Sequence, residues 1–490
     1  MTNDLNKTAG WNLTHSYAKL PQMFYTPVDV QPVAAPELVL FNEPLALEIG
    51  LNPEVMKSAE GVAVLAGNSL PKGAFPLAQA YAGHQFGNFT MLGDGRALMF
   101  GEQLTPDGRR IDIQLKGSGA TPYSRGADGR ASLGPMLREY IISEAMHALG
   151  IPTNRSLSVV KTGEQVRRQT MEPGAVLTRT AASHLRVGTF EYASAWGSTE
   201  QVRTLADYAL ERHFPPCSES DNPYLYLLDK TAERQADLIA RWQAAGFIHG
   251  VMNTDNMAIS GETIDYGPCA FIDAYDPKTV FSSIDRGGRY AFGNQPKIAG
   301  WNLARFAETL LPLIDEDEEA AVEKAQQIIS GFMARFDARR LVHFRAKLGL
   351  KEEHEGDGAL IDQLLEILLT EKADFTNAFR ALTFKEVTEP ALEQSTAFSE
   401  WKETWKARLA KENRSEEAVQ MLMKQSNPAV IPRNHRVEQA LHAAVEDGDY
   451  SVLYKLLDVL SDPYAHSKTQ EAYTAPPPAS FPPYQTYCGT

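Results

Sequence analysis

The chain is short of several things, and each shortage excludes a class. Three cysteines in 490 residues rule out a disulfide-stapled scaffold and suit a reducing compartment, where thiols stay free. No apolar run approaches the ~20 residues that span a bilayer, so no membrane partner is expected. Met1–Thr14 lacks a basic segment followed by an apolar core, so no secretory signal is expected and the expected location is cytoplasmic. Positive charge is scarce as well: 47 Lys and Arg stand against 62 Asp and Glu, a formal charge of −15. General nucleic-acid binding needs a basic face to neutralise phosphates. No nucleic-acid partner is therefore expected, although an acidic average leaves room for a local basic cleft.

What is present is the composition of a folded globular chain, 43% hydrophobic and 22% charged. The length exceeds what one simple core supports. The expected division is an N-terminal extension over 1–80, a β-rich lobe over 81–190, a helical lobe over 191–425, and C-terminal helices over 426–490 with a tail that is Pro-rich, extended and expected to be mobile from Tyr473.

The extension carries a short helical candidate at Asn42–Ile49 and no assignable chemistry; it is expected to wrap or support the next unit. From Tyr81 the reading changes. Gly83, Gly87, Gly93 and Gly95 punctuate a β-prone segment, and Gly93–Asp94–Gly95–Arg96 reads as a glycine turn entering a strand. Such a turn lets backbone N–H groups approach a phosphate, with Arg96 adding charge, but it is also what any plain hairpin uses. Ile111–Lys116 alternates strictly: Ile111, Ile113 and Leu115 share one face, and Asp112, Gln114 and Lys116 the other. A lysine ending such a strand sits where a kinase holds its phosphate-binding lysine, against the plainer reading of a solvated lysine. The long loop Gly117–Arg130, rich in Gly, Ser and Arg and including Asp128 and Gly129, suits either an anion site or a flexible insertion.

Leu133–Leu149 is predicted to be a helix, with Ser132 as its cap and Gly150 and Pro152 closing it. Two of its glutamates could pair with Lys116. At ~100° per residue, Glu144 falls within the apolar stripe and Glu139 off its edge, so periodicity favours Glu144. Ser156–Lys161 and Gln165–Thr170 read as a hairpin turning at Thr162–Gly163, followed by a strand over Ala175–Thr180. That strand leads Arg179 and Arg186 towards the cleft, where guanidiniums clamp phosphates.

From Thr199 the pattern is helical: Val202–His213, Tyr224–Ala245, then, after the loop below, Trp301–Leu313, Asp317–Leu341, Leu360–Leu369 and Ile431–Leu460. The helix ending at Gly246 delivers His249–Gly250–Val251–Met252–Asn253–Thr254–Asp255–Asn256. A kinase catalytic loop reads H-R-D-x-x-x-x-N, with the Asp as base and the Asn on magnesium. Here Asn256 holds the metal position and Val251 stands where the base should be; Asp255 is the acid nearby. A tight hairpin over Ala258–Ile264 is predicted to present Asp265, so that Asn256 and Asp265 offer two oxygen ligands to one divalent ion.

Taken in order, these features resemble the SelO/YdiU family of protein nucleotidyltransferases. The specific strings are Tyr81–Gly87, Leu115–Gly119, His184–Gly188, His249–Asn256 and a cysteine three residues from the end. The resemblance implies an α+β, bilobal protein-kinase-like fold, with a β-rich N-lobe, a helical C-lobe and extensions at both ends. It implies AMP transfer from ATP to Ser, Thr or Tyr hydroxyls of protein substrates, with UMP transfer also assigned to bacterial members, and a link to redox stress. Residue by residue, it puts Gly93, Gly95, Arg96, Lys116, Asp128, Gly129, Arg179, Arg186 and Asp265 on the nucleotide. Mg²⁺ (or Mn²⁺) falls to Asn256 and Asp265, the proton to Asp255, and the partnership with Lys116 to Glu139, against the periodicity. Cys269 and Cys488 become a candidate redox pair. Two other activities fit the missing base at Val251, an inert ATP-binding scaffold and a phosphotransferase using Asp255. Oligomeric state is not legible.

Overall fold

The computed structural model describes residues 9–215, 221–384 and 389–486. Ten of its strands and their connections fall before residue 182, as the turn chemistry and alternation there demand. β1 (Leu13–Thr14), β2 (Tyr25–Pro27), β3 (Glu37–Phe41) and β4 (Leu77–Gln79) come from the N-terminal extension. β5 (Ala82–Gln85) and β6 (Asn88–Met91) make a separate hairpin. β7 (Ala97–Leu104), β8 (Arg110–Lys116), β9 (Arg155–Arg167) and β10 (Met171–Ala181) complete an antiparallel sheet of order β2-β4-β7-β8-β10-β9-β3, with β1 on β7. The extension is thus part of the sheet rather than a wrapping around it.

The alternation along β8 sorts its two faces. Ile113 and Leu115 join Leu98, Phe100, Leu157, Val160 and Val176 in a core covered by the short helices Glu43–Glu48, Pro53–Met56 and Ala59–Leu65. Asp112, Gln114 and Lys116 face the other way, yet all three are buried. Their face is covered by the helical half of the molecule, so it is an interior polar surface and not a solvated one. Helix α1 (Leu133–Ala148) packs there through Leu137, Ile141 and Met146 against Val159, Ala175 and Leu177.

The helical lobe begins with α2 (Val187–Trp196) and α3 (Thr199–His213) and is built on α4 (Pro223–Ala245), α5 (Gln295–Ile314) and α6 (Glu318–Lys347). α4 ends at Gly246 as expected, with φ +76°, and its start is capped: the Asn222 side chain accepts from Leu225 N at 3.0 Å and Pro223 opens it. Beyond Gly246 the pair β11 (Phe247–Ile248) and β12 (Ala270–Phe271) pins both ends of the segment 249–269. The lower half of the chain adds α7 (Asn434–Glu446), which lies against α1. The result is α+β and bilobal. No described helix is long and apolar enough to cross a membrane.

Four local expectations are corrected. β9 is a single strand through Thr162–Gly163, and the turn lies at residues 168–170. Gly163 takes φ +74°, and the register jumps from Pro173↔Gln165 to Ala175↔Lys161, so the glycine marks a bulge; a proline, lacking an N–H, is tolerated at such a point. The hairpin after Asn256 reduces to one antiparallel bridge, Met257↔Thr263. Ile431–Leu460 is two helices, α7 and Ser451–Leu460, parted at Asp447–Tyr450. The Pro-rich tail is not loose over its described length: Tyr484 and Thr486 are both bonded to the body of the protein.

Leu137 sits fully buried where α1 meets the sheet. Truncation to Ala should destabilise the fold by about 2–5 kcal/mol through lost transfer energy and the cavity left behind, read as a lowered urea midpoint with an unchanged slope.

Candidate active site

Strand register and one helix assemble four charges. Lys116 ends β8, and Arg179 on β10 pairs in register with Gln114, so both point to the interior polar face. Glu139 on α1 meets them there: Lys116 Nζ lies 2.7 Å from its Oε2, and Arg179 Nε donates to its Oε1. Asp265 closes the figure from the helical lobe, its Oδ1 accepting from Lys116 at 3.1 Å and from Arg179 at 3.0 Å. Two cations and two carboxylates therefore alternate around a square. Burial opposes ionisation of Glu139, but Arg179 and Lys116 overcome it and hold the carboxyl below its ordinary value. Burial and Arg179 pull Lys116 below its ordinary value, with Glu139 and Asp265 resisting. Burial works against Asp265 too, yet Lys116 and Arg179 hold it well below the usual carboxylate range. Its side chain is still 37% exposed to the cleft, so the two cations, more than burial, decide its state. Asp265 also adopts φ +64°, a left-handed conformation that Asp tolerates better than most residues and that tends to mark functional positions.

Glu144, the choice of helical periodicity, is used elsewhere. It takes Arg155 through two bonds (Nε to Oε1 at 2.9 Å, a second nitrogen to Oε2 at 2.7 Å), and accepts from Ser156 N and Asn42 Nδ2. It ties α1 to β9. Periodicity identifies the buried face of a helix but not which neighbour covers it, and Glu139 faces a polar interior rather than solvent.

The stretch after Gly246 is held by its own side chains. His249 is buried, stacks on Trp242 and bonds Ile264 O through Nε2 at 2.9 Å; burial lowers its pKa, so it serves as a neutral strut. Asn256 Nδ2 donates to Val251 O at 3.0 Å, leaving its Oδ1 as the free donor atom. Asp255 is buried, and its Oδ1 has no partner among the described residues. Burial raises its pKa to about 7, against the pull of Arg186. Arg186 donates to Asp255 O at 3.2 Å and lies over the Tyr81 ring.

The β5–β6 hairpin presses on this stretch. A Cβ at Gly83 would stand 2.3 Å from Asp255 Oδ1, so only glycine leaves that carboxylate its place. His84 N donates to Thr254 Oγ1, Phe86 N donates to Asn253 Oδ1, and Glu191 on α2 takes both Thr254 Oγ1 and His84 Nδ1. A hairpin from the sheet half thereby fixes the loop of the helical half.

Two clefts meet at this point. One, of about 760 Å³, is lined by Gly93, Gly95, Arg96, Lys116, Asp128, Gly129, Arg179, Arg186, Asp255, Asn256 and Asp265. The second, of about 960 Å³, shares Arg96, Lys116, Asn256 and Asp265 but has Val251 on its wall and α1, α7 and the tail around it. All the residues named for nucleotide and metal thus line one cavity, with Glu139 directly behind it.

The family model described as "Protein adenylyltransferase SelO" matches residues 8–461. The chain belongs to the SelO family. Among its relatives, a protein nucleotidyltransferase YdiU of Geobacillus kaustophilus (strain HTA426) is 62% identical over 482 residues, 98% of this chain and 100% of the relative. Proteins of the same name from Alkaliphilus metalliredigens (strain QYMF) and Brevibacillus brevis are 62% identical over 489 residues and 61% over 481, each covering at least 98% of both chains.

Against that family background, several residues of the motif strings, and some that the sequence did not single out, acquire roles in the geometry. Tyr81, Gly83 and His84 explain the string Tyr81–Gly87, and Gly188 does the same for His184–Gly188, since a Cβ there would meet Ala82 O at 2.0 Å. Glycine in the Gly93 turn answers to Tyr123, whose ring would lie 2.4 Å from an added Cβ. The Gly117–Arg130 loop folds back over that turn, with Thr121 Oγ1 donating to Asp94 O at 2.6 Å, so it is a fixed wall of the cleft. Arg168, at the β9–β10 turn, holds Asp128 by two bonds of 3.0 and 3.2 Å. Only the recurrence of arginines near the cleft could have suggested it. Cys269 is fully buried, and burial pushes its thiol up to about 11; Cys488 lies outside the described residues.

The two glutamates of α1 should separate cleanly. Glu139→Gln should weaken ATP binding about tenfold or more, since it unpairs two buried cations, whereas Glu144→Gln should lower the melting temperature and leave ATP affinity alone. Calorimetric titration with ATP and thermal denaturation of both variants check this.

Proposed function

We propose that the protein transfers AMP from ATP to hydroxyl side chains of proteins, on a kinase-like bilobal scaffold. The observation that carries the reading is the coincidence of a cationic phosphate-sized site with an unpartnered carboxylate in one cleft. Lys116, Arg179, Arg186 and Arg96 line the same cleft as Asn256, Asp265 and Asp255, whose Oδ1 has no partner among the described residues. Family membership and the shared name of the relatives support the same reading.

The reaction that fits has an acceptor hydroxyl oxygen attacking the α-phosphorus. The bond from that phosphorus to the bridging oxygen breaks, pyrophosphate leaves, and the hydroxyl proton passes to Asp255. Charge grows on the departing β,γ side, where fixed guanidiniums and an ammonium stabilise it without reorganising. Asp128 and Gly129, steadied by Arg168, line the far end for the nucleoside. Asn256 Oδ1 and Asp265 are hard oxygen donors suited to Mg²⁺ or Mn²⁺. Among the described residues no group of three acidic, His or Cys side chains forms a closed metal cage, so phosphates and water would complete the shell. A divalent ion so held would offset charge on the triphosphate. Val251 keeps a second carboxylate away from the junction, which favours this chemistry over a kinase's. A cytoplasmic location fits the three cysteines and the supply of ATP.

Incubation with Mg²⁺ and ATP labelled on the α- or the γ-phosphate tests the assignment. α-label on protein is the expected result, lost in Asp265→Ala and kept in Val251→Ala; γ-label alone would make it a kinase, and neither label an inert scaffold. α-labelled UTP in parallel reads UMP transfer, which the broader name of the relatives leaves open.

The redox reading has its own support. Thr486 Oγ1 donates to Pro268 O at 2.9 Å, which fixes the described end of the tail one residue from Cys269. Mild peroxide, taking up two electrons from two thiols, should give a Cys269–Cys488 link in non-reducing peptide mapping; unpaired thiols would end the idea.

A further inference from the structure

A protein acceptor has to bring a side chain to the junction of the two clefts at Asn256 and Asp265, and a stretch of polypeptide already lies along the approach. Residues Phe481–Thr486 border the larger cleft, the one with Val251 on its wall. The seat is mainly a backbone one. Thr486 N donates to Phe281 O at 2.8 Å, Ser283 N donates to Thr486 O at 2.9 Å, and Ser282 pairs with Thr486 as a parallel bridge. Two residues earlier, Tyr484 packs edge-on against Phe281, accepts from Arg138 at 2.7 Å and donates to Glu438 at 2.7 Å. The tail thus meets Phe281–Ser283 through a single parallel bridge at Ser282, with alternate side chains, Tyr484 and Thr486, gripped by the body and Gln485 between them. Ser282 Oγ is buried in the seat, with no partner among the described residues.

We propose that the segment Phe281–Ser283, with the Arg138–Glu438 pocket, is the docking track for the acceptor protein. The acceptor would bind as an extended strand carrying the hydroxyl side chain, and Phe481–Thr486 would be its internal competitor. The proposal rests on transfer to proteins being the activity. Strand addition suits that task because main-chain bonds supply affinity to any sequence, while pockets for alternate side chains supply selectivity. The segment that occupies the track, with Arg138 and Glu438, lines a cleft that shares Lys116, Asn256 and Asp265 with the smaller one.

The test uses the full chain with Thr486→Pro, which deletes the N–H that bonds Phe281, combined with Tyr484→Ala. A heat-denatured bacterial extract serves as a mixture of extended acceptors, and α-labelled ATP reports transfer. The double variant should show a KM for acceptor lower by about threefold or more with the KM for ATP unchanged. A fluorescein-tagged peptide of residues 478–486 should bind the variant about tenfold more tightly than the unaltered chain. The untagged peptide should compete with the acceptor and not with ATP. Failure of the peptide to bind either protein overturns the track, as does binding that leaves labelling untouched, or an equal shift in both KM values. Absence of α-label with the unaltered chain and the variant alike fails the transfer reading itself and takes this proposal with it. Label that ignores the tail fails this proposal alone.

Discussion

The site depends on four buried or half-buried charges that are stable only together. Lys116, Arg179 and Glu139 are each nearly removed from solvent, and an isolated ion in that setting would neutralise itself or disrupt the fold. Closed into a square with Asp265, each ion has two opposite neighbours. Removing one member leaves the others charged and unpaired, which destabilises far more than a surface pair would. The square also joins what is far apart in sequence: β8, β10, α1 and the loop behind Asn256. A cleft with two fixed cations at its back follows from that closure, and the position of Asp265 in a left-handed conformation is held by it.

A second constraint sets the front of the cleft. The β5–β6 hairpin is contributed by the sheet half of the chain but bonds to Asn253 and Thr254 of the helical half. Gly83 lies so close to Asp255 that an added Cβ would collide with its carboxylate, whose Oδ1 has no partner among the described residues. Burial rather than a neighbouring anion is the main reason its pKa rises. Val251 and Asp255 consequently face different cavities that touch at Asn256 and Asp265. Val251 therefore lines the larger cleft, while the smaller one has the Asp255 carboxylate in its wall. The tail borders the larger cleft.

Much of this was legible from residue order. The alternation of Ile111–Lys116 and the helix expected over Tyr224–Ala245 follow from local rules of period, and the structure has strand Arg110–Lys116 and helix Pro223–Ala245 there. The family strings carried more, because a run such as Tyr81–Gly87 encodes contacts that no single residue explains. Other features were not legible, for identifiable reasons. The bulge at Gly163 and a hairpin turn there look alike in sequence, and only pairing with β10 distinguishes them. The proline-rich tail has the composition of a loose end, and its order comes from Arg138, Glu438 and Phe281, residues distant in the chain.

By itself, the sequence determined the α+β class, the sequence of strand lysine, helix glutamate, paired arginines and metal-type loop, and the absence of a base at Val251. Those are properties of residue type and spacing, which local chemistry reads directly. Periodicity favoured Glu144 and the family resemblance Glu139, and the tertiary structure pairs Lys116 with Glu139. A helix can present a carboxylate to an apolar stripe or to a buried polar sheet face, and periodicity cannot tell the two apart. It also decided that Lys116 is interior, that Gly83 governs Asp255, and that the tail lies against Phe281–Ser283. Each of these is a meeting of segments far apart in the chain, set by packing between the two lobes and not by the residues on either side.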